Sequence, residues 1–155
     1  MKDRNKTLTP KMLLRRISKG MAHMSKLNFL ESYAMFMGKA QLVEFALKKI
    51  LRKRYRYGKK KLEKMTLGAA ITALDQKGLR KDFVSLLWQL NTVRIAMAHN
   101  FLAEHLRLAS LLGRRFGHLS FKPLRPAEWK VEETIQVFDY LNQNRMLYQR
   151  QRKAY

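Results

Sequence analysis

The chain has 155 residues, enough for one domain with a hydrophobic core, and 46% of them are apolar. It has no cysteine, which excludes disulfides and thiolate metal sites, and no run of about 18 apolar residues, which excludes a membrane-spanning helix. With 33 Lys plus Arg against 11 Asp plus Glu, its formal net charge is +22, a surface that attracts polyanions, above all RNA or DNA.

Three prolines, Pro10, Pro123 and Pro126, leave residues 11 to 122 free of the strongest helix breaker. Ala, Leu, Met, Lys, Arg and Gln dominate, and no strand pattern competes. The composition and periodicity predict an all-α single domain, an antiparallel bundle of four to five helices. The expected organisation is a basic N-terminal helix or extension over 1–26, a helical bundle over 27–144 and a basic C-terminal tail over 145–155. No N-terminal signal is evident, and a cytoplasmic location is expected.

In chain order, Thr9 caps a helix with Pro10 at its first position, and the helix is expected to run to about Ser18 and end at Gly20. A second spans roughly Leu27 to Tyr57, with Leu30, Tyr33, Met37, Ala40, Val43, Leu47, Ile50 and Leu51 on its apolar stripe and Gly38 as a point of kinking or close packing. Thr66 caps a third, Leu67 to Gln76, with Gly78 beyond its end. A fourth runs from Lys81 through His99 and toward Arg115. A loop covers 117–126. Pro126 then opens a last helix whose Trp129, Ile135, Phe138 and Leu141 face inward, with Glu128, Glu132 and Glu133 complementing the helix dipole.

The segment from Lys48 to Lys64 holds ten basic residues and one acid, Glu63. Within it Lys49, Arg52, Lys53, Arg56, Lys59, Lys60 and Lys61 form a candidate RNA-gripping surface, and Tyr55 and Tyr57 are candidates for stacking on unpaired bases. The bland alternative is a solvated charge run at a helix C-terminus. His23, His105 and His118 are isolated from acids at ligand spacing, so neither a metal nor another cofactor is expected.

On the fourth helix, Val84, Leu87, Asn91, Ile95, Ala98 and Leu102 fall on one stripe, expected to be core. Arg94 and His99 lie about 140° apart on an ideal helix, so they share a site only where the helix is distorted, or across a two-fold axis. Arg can clamp a phosphate, and His exchanges a proton near neutral pH.

The pattern Asn91-x-x-Arg94-x-x-x-Ala98-His99-Asn100 resembles the signature of the HEPN superfamily, small helical domains marked by an Arg, four to six residues and a His. Residues 38–51 are similar to the family's early long helix, and residues 66–71 to its short middle helix. The likeness spans roughly 28–142, and only the Arg–His segment is specific. The resemblance implies a homodimer packed through the motif helices and metal-independent RNA cleavage leaving 2′,3′-cyclic phosphates. Arg94 would polarise the scissile phosphate, and His99 would act as general base or acid. It also implies the partners of toxin-type members, an acidic antitoxin or a nucleotidyltransferase, and no membrane. Active members carry a polar residue after the Arg. Here that residue is Ile95, with Asn91 and Asn100 as nearby substitutes and Glu44 as a further supporting candidate. The alternative is a non-catalytic RNA-binding or assembly module on the same bundle.

Overall fold

The computed structural model describes residues 7–101, 103, 107, 110 and 124–148; for Asn100 and Phe101 only the backbone is described. The helices are α1 (Pro10–Met24), α2 (Phe29–Tyr55), α3 (Lys59–Glu63), α4 (Leu67–Gln76), α5 (Lys81–Ala96), which continues into a π-helical turn (Met97–Phe101), and α6 (Leu124–Gln143). There is no strand among the described residues, only an isolated bridge between Leu79 and Tyr148. None of the described helices is long and apolar enough to cross a membrane.

Local chemistry sets the helix starts. Thr9 Oγ1 accepts from Met12 N at 3.3 Å and Thr66 Oγ1 from Ala69 N at 3.2 Å. Asn28 and Glu31 form a reciprocal capping box at the start of α2, two residues later than the sequence suggests. α2 ends at Arg56 in the left-handed region, with φ of 55°. α3, in the basic segment, was not foreseen.

Side-chain pairings give the helix directions. Tyr33 meets Met97 and Glu44 meets Arg94, so α5 runs antiparallel to α2. Gly68 lies against Asn91 and Trp88 while Asp75 pairs with Lys81, so α5 is antiparallel to α4. Gln89 accepts from Lys130, and the Phe83 and Phe138 rings lie 6.0 Å apart, so α5 is also antiparallel to α6. The core runs between these helices through Phe36, Leu47, Leu51, Ile71, Leu74, Phe83, Leu87, Leu90 and Val131.

Three expectations are corrected. The first helix does not stop at Gly20 but continues to Met24. Gly20 is there because a Cβ at that position would overlap the Glu132 carboxylate of α6. Gly38 does not mark a close approach, since among the described residues nothing lies within 4 Å of where its Cβ would sit. The tail expected from Arg145 is tied down at its start: Leu147 is buried, its carbonyl accepts from Arg80 N at 3.0 Å, and Tyr148 bridges to Leu79.

α6 differs most from its sequence reading. It begins at Leu124, so Pro126 sits within its first turn rather than opening it. It packs against α1, α2 and α5, so its inward arc is wide enough to bury Glu128 and Glu132. Neither serves as a solvated dipole partner. Glu132 pairs with Lys39 of α2, and Glu128 with Arg125 at 2.9 Å. Leu141 is buried, and Ile135 and Phe138 pack against the core, whereas Trp129 is half-buried. Most of the expected 117–126 loop lies outside the described residues, and residues 124–126 are helical.

Burial raises the Glu128 carboxyl above its ordinary range, against the opposing pull of Arg125. A carboxyl whose folded pKa exceeds its unfolded value contributes most stability when protonated and loses that contribution as pH rises through the folded pKa. Glu128→Gln is therefore expected to be more stable than wild type in denaturant titrations at pH 7. The gain should shrink as pH falls from the raised Glu128 value toward the ordinary glutamate range and be absent below it; a gain independent of pH would contradict this.

Candidate functional site

α5 carries its predicted core stripe only part of the way. Val84, Leu87 and Asn91 are buried, but Ile95 is 48% exposed and Ala98 is exposed. α4 covers the first half of the stripe, and α4 starts at Leu67, level with Asn91. Gly68 allows that close approach, because a Cβ there would stand 3.3 Å from Asn91 Nδ2. Beyond this level no described helix covers the stripe, and Leu102 lies outside the described residues.

Arg94 sits where the cover ends. Its Nη2 lies 3.2 Å from Glu44 Oε2, and Glu44 Oε1 accepts from Lys48 Nζ at 2.7 Å. One carboxylate thus holds two cations on the α2–α5 seam, with all three side chains mostly buried. Arg94 Nε is buried and has no hydrogen-bond acceptor among the described residues. A buried unmet N–H costs about 1–3 kcal/mol.

The helix distortion that an Arg–His site needs is present. α5 passes from α to π geometry at Met97, and His99 is exposed in that turn. A π-helical turn hydrogen-bonds at a five-residue step, so each residue advances the chain through a smaller angle than in an α-helix. His99 is thereby rotated closer to the Arg94 side than the 140° of an ideal α-helix. Tyr33, at the start of α2, donates to the Met97 carbonyl at 3.0 Å. Its hydroxyl is held above the ordinary tyrosine range by burial. The aromatic at position 33 reads as core from sequence, and only the carbonyl opposite it reveals a polar task.

The supporting candidates separate. Glu44 joins Arg94. Asn91 is buried and turned toward Gly68 of α4. The side chain of Asn100 lies outside the described residues, as do His105 and His118. Among the described residues no three His, Asp or Glu side chains gather as metal ligands.

The basic segment lies at the other end of α2. Lys49, Arg52, Lys53 and Arg56 are exposed, as are Lys59, Lys60 and Lys61 on and beside α3. From Glu44 to Arg56 the rise along α2 is roughly 18 Å, so the cations do not surround Arg94 but lead away from it. Tyr55 and Tyr57 are half-buried against the core. Arg54 and Lys77 stand 5.9 and 5.4 Å from the Tyr55 ring centre, and Lys61 stands 4.4 Å from that of Tyr57. The edge of Tyr55 meets Tyr148 at 6.3 Å. These contacts make both tyrosines part of the packing at this end of the bundle.

No known family model, curated protein or solved structure matches this chain.

Tyr33→Phe removes one hydroxyl and leaves the ring. It is expected to cost about 1 kcal/mol and to speed amide exchange across residues 97–101 while the middle of α2 keeps its protection. Exchange unchanged in the π-helical turn would show that the Tyr33 hydroxyl does not hold it.

Proposed function

We propose that the protein is an RNA-directed, HEPN-type endoribonuclease that needs no metal and works as a homodimer. The observation that carries this reading is the π-helical turn that begins three residues after the Glu44-held Arg94 and leaves His99 exposed, with Ile95 exposed next to Arg94. π-Helical turns recur at functional sites.

In this reading an RNA phosphate meets the open side of the Arg94 guanidinium, whose other side Glu44 holds. His99 takes the proton of the neighbouring ribose 2′-hydroxyl, and the 2′-oxygen attacks phosphorus. Negative charge grows on the non-bridging oxygens, and Arg94 stabilises it. The bond to the 5′-oxygen breaks, that oxygen takes a proton, and the products are a 2′,3′-cyclic phosphate and a 5′-hydroxyl. A second copy apposed through Ile95 and Ala98 would bring a second His99, so that one imidazole serves as base and the other as acid. A net charge of +22 suits RNA, and it also suits an acidic regulatory partner such as an antitoxin.

A second reading, RNA binding without cleavage, is favoured by one specific observation. Arg94 is already paired with Glu44, and the residue after Arg94 is the apolar Ile95.

Purified protein incubated with end-labelled single-stranded and structured RNA in excess EDTA separates the two. Cleavage that leaves cyclic phosphate ends, reduced at least about 100-fold in both Arg94→Ala and His99→Ala, is the expected result. His99 is exposed, so its replacement leaves the fold intact. Salt-dependent binding with no scission would overturn the endonuclease reading and leave the second.

A further inference from the structure

Gly38, Leu42, Phe45, Lys49, Arg52 and Arg56 follow one another along α2 and its C-cap at steps of four, three, four, three and four residues. That spacing puts them on one stripe, and all six are exposed. The stripe has two halves. Leu42 and Phe45 are each 65% exposed, the most exposed large apolar side chains among the described residues. Lys49, Arg52 and Arg56 follow, and no acid pairs with any of them among the described residues. Phe45 follows Glu44 in sequence and so lies about 100° round α2 from the carboxylate that holds Arg94.

We propose that this stripe is a track for single-stranded RNA, with an unpaired base stacked on Phe45 and successive phosphates on Lys49, Arg52 and Arg56. The proposal rests on the RNA reading above and specifies the form of RNA. Charge and shape together select the occupant. An apolar protein partner would cover Leu42 and Phe45 but leave three cations unanswered. A duplex would answer the cations but offers no free base face to the ring. An unpaired strand supplies both, and base–aromatic stacking beside a cationic groove is the usual means of holding one. The tyrosines that the sequence nominates for stacking already have cations over their rings, whereas Phe45 has an open face. From Phe45 to Arg56 the track rises about 16 Å, room for a short run of nucleotides.

The test measures binding by fluorescence anisotropy in the full-length chain carrying His99→Ala, so that scission does not intrude. The probes are labelled oligouridine and a labelled RNA hairpin with a minimal loop. Phe45→Ala is expected to weaken oligouridine binding about tenfold or more while leaving hairpin affinity unchanged, and Phe45→Trp to restore it. Arg52→Ala is expected to weaken both probes and to lower the salt slope by about one. Wild-type oligouridine affinity in Phe45→Ala, or an equal loss for both probes, overturns the track while leaving the RNA reading in place. Absence of binding to either probe by the parent chain overturns both. A Phe45→Ala protein that changes its sedimentation but not its RNA affinity would assign the stripe to a contact between copies, and that also overturns the track.

Discussion

The structure depends on a mismatch of length between neighbouring helices. α2 runs for 27 residues, whereas α4, which packs on α2 and α5, has only 10. At 1.5 Å per residue this is about 40 Å of helix beside about 15 Å. α4 starts level with Asn91, so it covers the lower half of the α5 stripe and leaves Ile95 and Ala98 bare. Burying such a stripe is the main source of helix stability in a bundle, and here it is buried only as far as Asn91. Among the described helices none covers Ile95 and Ala98, the exposed positions between Arg94 and the π-helical turn's His99.

α2 acts as a ruler for that open region. Tyr33 and Glu44 are eleven residues apart, three helical turns on one face, and both reach α5. One grips the backbone at Met97 and the other grips the Arg94 guanidinium, so the two ends of the Arg–His segment are referred to a single rigid element. Below Glu44 the helix turns its outer stripe from apolar to cationic. Above it, Lys39 anchors α2 to Glu132 of α6. The acids are few, and the described pairs place several of them between helices: Glu44 for α2 with α5, Glu132 for α2 with α6, Asp75 for α4 with α5. The cations left over give the surface its charge.

The fold was legible in the sequence because its signals are local and periodic. The Thr9, Pro10 and Thr66 starts and the three- and four-residue steps of α2 depend on neighbours within a turn or two. The sequence does not show which helix a face meets. Phe36, absent from the expected stripe, is fully buried, and Leu30, included in it, is exposed. Gly20 reads as a stop signal, and only the Glu132 carboxylate across the interface explains a glycine inside the helix. Ile95 and Ala98 continue the period of Val84, Leu87 and Asn91, and nothing in that period records where α4 begins. For the candidate site, Arg94, His99 and Glu44 were visible as residues. The ion pair that links Arg94 to Glu44, the π-helical turn and the Tyr33 hydroxyl depend on contacts between residues far apart in sequence, and they were not.

The proposed apposition of two copies through the open half of α5 can be measured directly, because the chain has no cysteine and a single introduced one is the only labelling site. Ala96→Cys places a spin label on the exposed side of α5 beside Ile95, and His23→Cys places one on α1. Pulsed dipolar spectroscopy of the doubly labelled homodimer is predicted to give a short, well-defined distance between the two copies at position 96 and a longer one at position 23. A protein without dipolar coupling at either position, or with the short distance at 23, would contradict the account that the short α4 leaves this face open for a second copy.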